Sequence, residues 1–155
     1  MSKTIPFSNG PSLCVTLEFE NCKLKRSSLA LADKFVVKIE GQPDKALEEM
    51  LLGFLKSYCE RKHAAVALPL DELTPFRKKV LERLQKVDFG VVTSYGELAS
   101  DSGHPGAARA VGTACHFNPF PLLIPCHRVI AANGKIGGFA FDMRIKKALL
   151  EFESA

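Results

Sequence analysis

The sequence predicts an α+β fold in which an N-terminal antiparallel sheet with one helix precedes a helical C-terminal part. Residues 12–20 alternate between apolar and polar side chains, which is typical of a half-buried strand. From residue 74 onward, apolar residues recur at helical spacing instead. A chain of 155 residues can form one domain or two small ones. We expect an N-terminal scaffold domain over residues 1–70 and a C-terminal domain over residues 71–155.

Three strands and one helix are expected in the first part. The strands cover residues 12–20, 24–32 and 35–39. Asp44 is a suitable N-cap for a helix that runs to about Arg61. No motif in this part carries chemistry, so we interpret it as scaffold.

One pair near the end of this helix has the spacing of metal ligands. Cys59 and His63 lie four residues apart. No second ligand pair is evident in the sequence, so two unrelated residues near a helix end are the simpler interpretation. We expect no metal site.

A helix-turn-helix is expected in the second part. Ser94 and Glu97 form a capping-box pattern that opens a short helix. The Gly-His-Pro-Gly run at residues 103–106 breaks it, and Pro105 can begin a second helix that runs to about Phe117. Two short helices joined by a glycine-containing turn are typical of this motif.

Three further elements complete the predicted C-terminal part. A helix begins at Thr74, before the helix-turn-helix. Asn133-Gly134 predicts a hairpin turn between strands at residues 129–132 and 135–138. A last helix begins near Asp142.

The second helix of the helix-turn-helix has little side-chain bulk apart from Arg109. Its small residues are Ala107, Ala108, Ala110, Gly112, Thr113 and Ala114. In most proteins such a run indicates tight helix packing. A slim helix can also approach a DNA minor groove, which is about 6 Å wide, with Arg109 projecting toward the bases. Helix-turn-helix geometry alone would favour the major groove.

A buried, proline-bounded segment ends in Pro125-Cys126-His127-Arg128. Most free cysteines are small buried hydrophobes. A neighbouring base or cation can instead make a thiol nucleophilic. Adjacent side chains on a straight strand face opposite ways, so Cys126 and His127 can cooperate only if the backbone turns there, or through a water molecule.

Charge and composition restrict the function classes. No acidic residue lies between Asp101 and Asp142, which favours a phosphate-binding surface, although a mostly buried segment would show the same pattern. No apolar run approaches the ~20 residues of a membrane span, and residues 1–10 lack a signal-peptide core. Five cysteines without framework spacing favour a reducing compartment. We expect a cytoplasmic or nuclear protein with no membrane partner.

Several spaced motifs resemble those of the O6-alkylguanine-DNA alkyltransferase family over residues 74–153. The resemblance rests on Pro125-Cys126-His127-Arg128 with Val129-Ile130, Arg109-Ala110-Val111-Gly112, Asn118-Pro119, Ser94-Tyr95, Leu98-Ala99, Leu149-Leu150 and Glu153. The resemblance implies a winged-helix-like C-terminal domain that flips O6-alkylguanine, chiefly O6-methylguanine, out of duplex DNA. It also implies irreversible transfer of the alkyl group to Cys126, once per molecule.

The resemblance also implies roles for individual residues. The catalytic set is Cys126, His127, Glu153, Asn118 and Tyr95. The DNA-binding set is Arg109, Ser94, Tyr95, Gly112, Ala108 and Arg128. The substrate pocket comprises Cys115, Val129, Phe139 and Ala140. The implied partner is double-stranded DNA, bound by a monomer at the minor groove without metal or organic cofactor.

Helical phase independently separates two acidic residues of the last helix. At 100° per residue, Glu153 lies beside the apolar stripe of Ile145 and Leu149, whereas Glu151 points to solvent. Glu153 is therefore the carboxylate that can orient a histidine.

The chain departs from the family pattern beside the pocket. The family has tyrosine at Phe139, often a small hydroxyl residue at Ala140, glycines at Phe141 and Asp142, and a larger apolar residue at Cys115. A bulkier loop should leave less room beside the alkyl carbon. We therefore expect benzyl lesions to react more slowly than methyl lesions, and Phe141→Gly to restore part of the difference. The alternative is that the two phenylalanines face away from the pocket, or stack on the benzyl ring and help it.

Two other function classes share some of these features. A DNA-lesion sensor that binds without repair would share the helix-turn-helix and Arg109. A cysteine hydrolase would share Cys126 and His127 but would turn over an ester or amide repeatedly. The slim helix and the acid-free stretch favour DNA as the partner.

Overall fold

The computed structural model describes residues 2–138 and 140–155. Its strands are β1 Ser2–Pro6, β2 Leu13–Glu20, β3 Lys23–Leu31, β4 Val36–Glu40, β5 Thr93–Ser94 and β6 Val129–Ile130. Its α-helices are α1 Lys45–Cys59, α2 Pro75–Leu84, α3 Tyr95–Asp101, α4 Ala108–His116 and α5 Met143–Ser154. A 3-10 helix covers Cys126–Arg128. The fold is mixed α+β, as the sequence predicts.

The N-terminal sheet has the strand order β1-β4-β2-β3. The alternation along β2 buries Leu13, Val15 and Leu17 completely. β2 and β3 form an antiparallel hairpin, and β4 then pairs with the other edge of β2. Because β4 runs opposite to β3, it is parallel to β2, so the sheet is mixed rather than wholly antiparallel. β1, which the sequence did not predict, is mostly exposed and shows no clear alternation.

Helix α1 begins as expected, with the Asp44 side chain accepting a hydrogen bond from the backbone N–H of Leu47 (3.1 Å). It ends at Cys59 instead of Arg61. Arg61 has a φ of 64°, outside the right-handed helical region, so the helix cannot include it. The side chains that α1 buries include Leu51, Leu55 and Tyr58.

The helix-turn-helix consists of α3 and α4. Ser94 caps α3 by accepting a hydrogen bond from the N–H of Glu97 (3.1 Å). Helix α4 begins at Ala108, three residues later than predicted from Pro105. Gly106 has a φ of 86°, which forms a turn before the helix and prevents an earlier start.

The predicted hairpin is only a turn. Gly134, with a φ of 81°, donates to the carbonyl of Ala131 (2.9 Å), as expected of this turn. Residues 135–138 do not form the second strand. Gly137 has a φ of 76°, which interrupts extended backbone, and β6 pairs in parallel with β5 instead.

Helix α5 begins after Asp142, whose side chain accepts from the N–H of Arg144 (2.9 Å). Its buried face carries two apolar residues, Ile145 and Leu149, and two charged ones, Lys146 and Glu153. In the part of the chain that the structure describes, no helix has both the length and the apolar character needed to cross a membrane.

Candidate active site

Cys126 lies at the first position of the 3-10 helix and is 6% exposed. The helix turns the backbone at this point, as cooperation between Cys126 and His127 requires. Cys126 lines a cavity of about 110 Å³ together with Tyr95, Gly112, Cys115, His116, Gly138 and Ala140. The thiol is therefore buried within the fold but faces a small opening.

The loop before Cys126 is braced by Asn118. Its Nδ2 donates to the carbonyl of Ile124 (2.9 Å), and its Oδ1 accepts from the N–H of Phe120 (2.9 Å). The backbone N–H of Cys126 donates to the same Ile124 carbonyl (2.8 Å). The Asn118 side chain thus bonds the backbone at both Phe120 and Ile124, and so fixes the loop that positions the Cys126 thiol.

His127 is 1% exposed and bonds through Nε2 to Oε2 of Glu153. Oε1 of the same carboxylate accepts from Nε of Arg128 (2.8 Å). The pKa of Glu153 would be raised by burial, but the hydrogen bonds from His127 and Arg128 and the charge of Arg128 hold it at about 2. Glu153 is therefore a carboxylate at any ordinary pH and can only accept hydrogen bonds.

The protonation state and the tautomer of His127 follow from its buried environment. Burial lowers the pKa of His127, and Arg128 and Lys146 lower it further, while Glu153 opposes them. The ring is thus neutral near pH 7, and Nε2 must carry the proton that Glu153 accepts. The lone pair is then on Nδ1, the one buried side-chain nitrogen or oxygen without a hydrogen-bond partner in residues 2–138 and 140–155.

Lys146 is a site residue that the sequence interpretation missed. It is fully buried on α5, and its Nζ donates to the carbonyls of Val129 (2.7 Å) and Gly138 (3.0 Å). Burial raises the pKa of the Cys126 thiol above its usual value, and the hydrogen bond from Asn118 and the charge of Lys146 offset only part of that rise. The available signal was its position seven residues before Glu153, on the same face of one helix.

Tyr58 also reaches the site, although the N-terminal part was interpreted as scaffold only. Its hydroxyl donates to Oε2 of Glu153 (2.8 Å) across 95 residues of sequence. Arg61, just after α1, donates to the carbonyls of Phe152 and Ala155 at the end of α5. Both residues therefore hold the segment that carries the carboxylate.

Comparisons with known proteins place this site in a family. Residues 75–155 match the model of the 6-O-methylguanine DNA methyltransferase DNA-binding domain. A methylated-DNA–protein-cysteine methyltransferase of Methanosarcina acetivorans is 36% identical over 141 residues, which cover 90% of this chain and 86% of that protein. The chain belongs to the methylated-DNA–protein-cysteine methyltransferase family.

One further relative and one crystal structure are similar to this chain over different shares of its length. The methyltransferase of Mycobacterium bovis is 46% identical over 82 residues, which cover 53% of this chain and 50% of that protein. The chain thus aligns with about half the length of this relative. The crystal structure of Mycobacterium tuberculosis OGT in complex with DNA matches 99% of this chain and 92% of its own, with 32% identity and a TM-score of 0.71.

One predicted DNA contact of this family member is wrong. Arg128 is 5% exposed, and its guanidinium donates to Glu153 and to the carbonyl of Val87 (2.6 Å). Its donors face inward because Glu153 is the charge they neutralise, so Arg128 cannot bind phosphate without breaking a buried ion pair. It belongs to the carboxylate network instead.

The remaining predicted DNA-binding residues lie near one another on the helix-turn-helix. Arg109 is exposed on α4, and Ala108 is half-buried beside it. Ser94 caps α3, and its neighbour Tyr95 lines the cavity that holds Cys126. A Cβ on Gly112 would lie 3.9 Å from the Tyr95 ring, so the helix approaches this ring closely.

The four predicted pocket residues and the neighbouring Phe141 differ in where they lie. Cys115 and Ala140 line the cavity with Cys126. Val129 is fully buried, is not among the lining residues, and its carbonyl accepts from Lys146. Phe139 lies outside the described residues. Phe141 packs, partly buried, against the core instead of lining this cavity.

The cavity predicts a preference for small alkyl groups. The space beside Cys126 is about 110 Å³, and overfilling a closely packed site typically costs about 1–3 kcal/mol. We expect single-turnover transfer from benzyl lesions to be about tenfold to a hundredfold slower than from methyl lesions in the same oligonucleotide.

The control for this preference is Phe141→Gly. Since Phe141 packs against the core, this change should lower the melting temperature without speeding the benzyl reaction, contrary to the expectation from sequence. Equal methyl and benzyl rates in the wild-type protein would contradict a size limit.

Proposed function

We propose that this protein repairs DNA by direct reversal, moving the alkyl group of O6-alkylguanine, chiefly O6-methylguanine, onto its own Cys126. The observation that carries the proposal is the position of Cys126. The thiol opens into a small cavity and is followed by a buried histidine that a carboxylate holds in one tautomer. Family membership gives the activity its class, a methylated-DNA–protein-cysteine methyltransferase.

The chemistry is a displacement at carbon. His127 Nδ1 accepts the thiol proton through a water molecule, and the resulting thiolate attacks the alkyl carbon. The carbon–oxygen bond breaks, and its electrons pass to the guanine. A protonated donor then neutralises the leaving base, which becomes ordinary guanine. A thioether does not hydrolyse, so each molecule reacts once, and no step calls for a metal or organic cofactor.

Tyr95 is the proposed proton donor. It lines the same cavity as Cys126, at half-burial. Burial raises the pKa of the Tyr95 phenol, and the neighbouring Cys115 and Cys126 thiols raise it further. The phenol therefore keeps its proton near neutral pH and can supply it to the departing base.

DNA recognition follows from where the cavity lies. A base inside a duplex cannot reach Cys126, so it must be flipped out at a cost of a few kcal/mol. Helix α4 lines the cavity through Gly112 and Cys115 and also presents the exposed Arg109. We infer that α4 enters the minor groove as part of a monomer and that Arg109 fills the space left by the flipped nucleotide.

The activity suits a reducing compartment that holds DNA, the cytoplasm or nucleus, because all five cysteines are free thiols.

Replacement of Arg109 separates flipping from chemistry. We expect Arg109→Ala to slow transfer from a methylated duplex by roughly tenfold to a hundredfold, since the extruded state loses a few kcal/mol of support. Transfer from free O6-benzylguanine needs no flipping and should stay within about twofold of the wild-type rate.

The measurement compares single-turnover rates on the two substrates. Arg77→Ala provides a matched control, because Arg77 stacks on Phe117 beyond the end of α4 and has no assigned part in extrusion. Equal losses on duplex and free base in Arg109→Ala would mean that Arg109 supports the fold.

Stoichiometry tests the proposed function itself. A methylated duplex in excess should be restored to guanine in an amount equal to the protein, after which the reaction stops. A lesion sensor would bind the duplex and restore no guanine. A cysteine hydrolase would act repeatedly on esters or amides and leave the duplex methylated.

A further inference from the structure

The Glu153 carboxylate accepts donors from separate parts of the chain. Oε1 accepts from Arg128 Nε (2.8 Å) and from the backbone N–H of Gly90 (3.3 Å). Oε2 accepts from His127 Nε2 and from the Tyr58 hydroxyl (2.8 Å). Tyr58 is the donor that comes from the N-terminal part, and it shares one oxygen atom with the catalytic histidine.

The surroundings of Tyr58 leave its hydroxyl little freedom. The ring is 2% exposed and lies 5.4 Å from the centroids of both Phe89 and Phe152. Arg61 ties the same end of α1 to the carbonyl of Phe152, one residue before Glu153. A phenylalanine would fill this space equally well, so the hydroxyl itself contributes only through the carboxylate.

We propose that Tyr58 is a positioning residue of the alkyl transfer, which holds Oε2 of Glu153 and limits how strongly that oxygen attracts the proton of His127. The proposal rests on the proposed function, because it concerns the proton acceptor of that reaction. Sharing Oε2 between two donors weakens the stabilisation of a charged imidazolium. This sharing adds to the burial and to the Arg128 and Lys146 charges that keep His127 neutral, with its Nδ1 lone pair available to the thiol.

The charged groups around His127 also bear on whether its ring stays neutral. Arg128 on the 3-10 helix and Lys146 on α5 lower the pKa of His127, whereas Glu153 on α5 raises it. Burial and the nearby Glu153 raise the pKa of the Tyr58 phenol well above its usual value, so Tyr58 remains a donor throughout the neutral range. Loss of the hydroxyl removes a competitor for Oε2 and should raise the pKa of His127.

The test is the pH dependence of Tyr58→Phe. Protonated His127 cannot accept the thiol proton, so the transfer rate falls as the pH drops through the pKa of His127. We expect this acid limb, measured in single turnover from about pH 5 to about pH 8, to move upward by roughly half to one pH unit. Above the limb, the variant should react within about threefold of the wild-type rate.

A packing variant separates positioning from structural support. Phe152→Leu disturbs the same aromatic cluster, but a phenyl ring has no hydrogen bond to donate to the Glu153 carboxylate. It should lower the melting temperature and leave the acid limb in place. If Tyr58→Phe also lowered the melting temperature without moving the limb, Tyr58 would be structural only and the proposal would be overturned.

Proton NMR titration of the His127 ring gives a second readout that needs no substrate. Its midpoint should be higher in Tyr58→Phe than in the wild-type protein. Coincident titrations would overturn the proposal even if transfer proceeds. Failure of the wild-type protein to transfer an alkyl group would reject the proposed function but would leave this titration as a test of Tyr58.

Discussion

Cys126→Ser should abolish alkyl transfer, with a loss of at least about a thousandfold in single-turnover rate, the scale seen when an enzyme loses its nucleophile. Serine keeps the size and the hydrogen-bonding capacity of the side chain. Its hydroxyl, however, is a much weaker acid than a thiol and cannot be deprotonated usefully by a neutral imidazole. Restoration of guanine in a methylated duplex measures the loss.

Two other cysteine replacements make this result specific. Cys22→Ser changes an exposed thiol that does not line the cavity and should leave the rate unchanged. Cys115→Ser changes a second thiol inside the cavity, whose pKa burial and Cys126 raise to about 12. Cys126 is followed by a histidine that Glu153 holds, whereas Cys115 is followed by the exposed His116. Loss of the Cys115 thiol should therefore slow transfer only modestly. Abolished transfer in Cys115→Ser with activity retained in Cys126→Ser would reverse the assignment.

Glu153→Gln should lower both stability and rate. The substitution removes the charge that Arg128 and His127 face in a buried site, and the amide group presents donors where only acceptors fit. Leaving a buried guanidinium without its partner typically costs 3–5 kcal/mol. Without the carboxylate, His127 loses the partner that holds its tautomer. We therefore expect at least about a hundredfold slower transfer.

The pH dependence of stability provides a second readout of Glu153. Its pKa is depressed from 4.5 to about 2, so the stabilisation is present above pH 4.5 and is lost as the pH falls toward 2. The free energy of unfolding of Glu153→Gln should not show this loss as the pH falls. Glu151→Gln, on the exposed face of the same helix, should unfold and react like the wild-type protein. If the two substitutions changed stability and rate equally, the buried contacts of Glu153 with His127 and Arg128 would not be the cause.

Local patterns predicted much of the fold and the order of the site along the chain. The alternation of β2, the capping residues Asp44, Ser94 and Asp142, and the phase of α5 all act within a few residues. These short-range signals are reliable because helix and strand periodicity determine which side chains share a face. They suffice to turn Glu153 inward while leaving Glu151 exposed.

The errors involve contacts between distant segments. Tyr58 donates to a carboxylate 95 residues away, and no pattern near Tyr58 predicts that partner. Arg128 was assigned to DNA as part of the set implied by the family resemblance, whereas in the structure it neutralises a buried carboxylate. β6 pairs with β5 rather than with residues 135–138. In each case a long-range partner outweighs the local preference.

The central claim is that Cys126 receives the alkyl group, and peptide mapping tests it most directly. The protein is reacted to completion with a duplex carrying O6-methylguanine, digested and analysed by mass spectrometry. We predict one added methyl group, on the peptide that contains Cys126, in an amount equal to the guanine restored. A methyl group on Cys115 or Cys59, or restored guanine without any modified cysteine, would contradict the account.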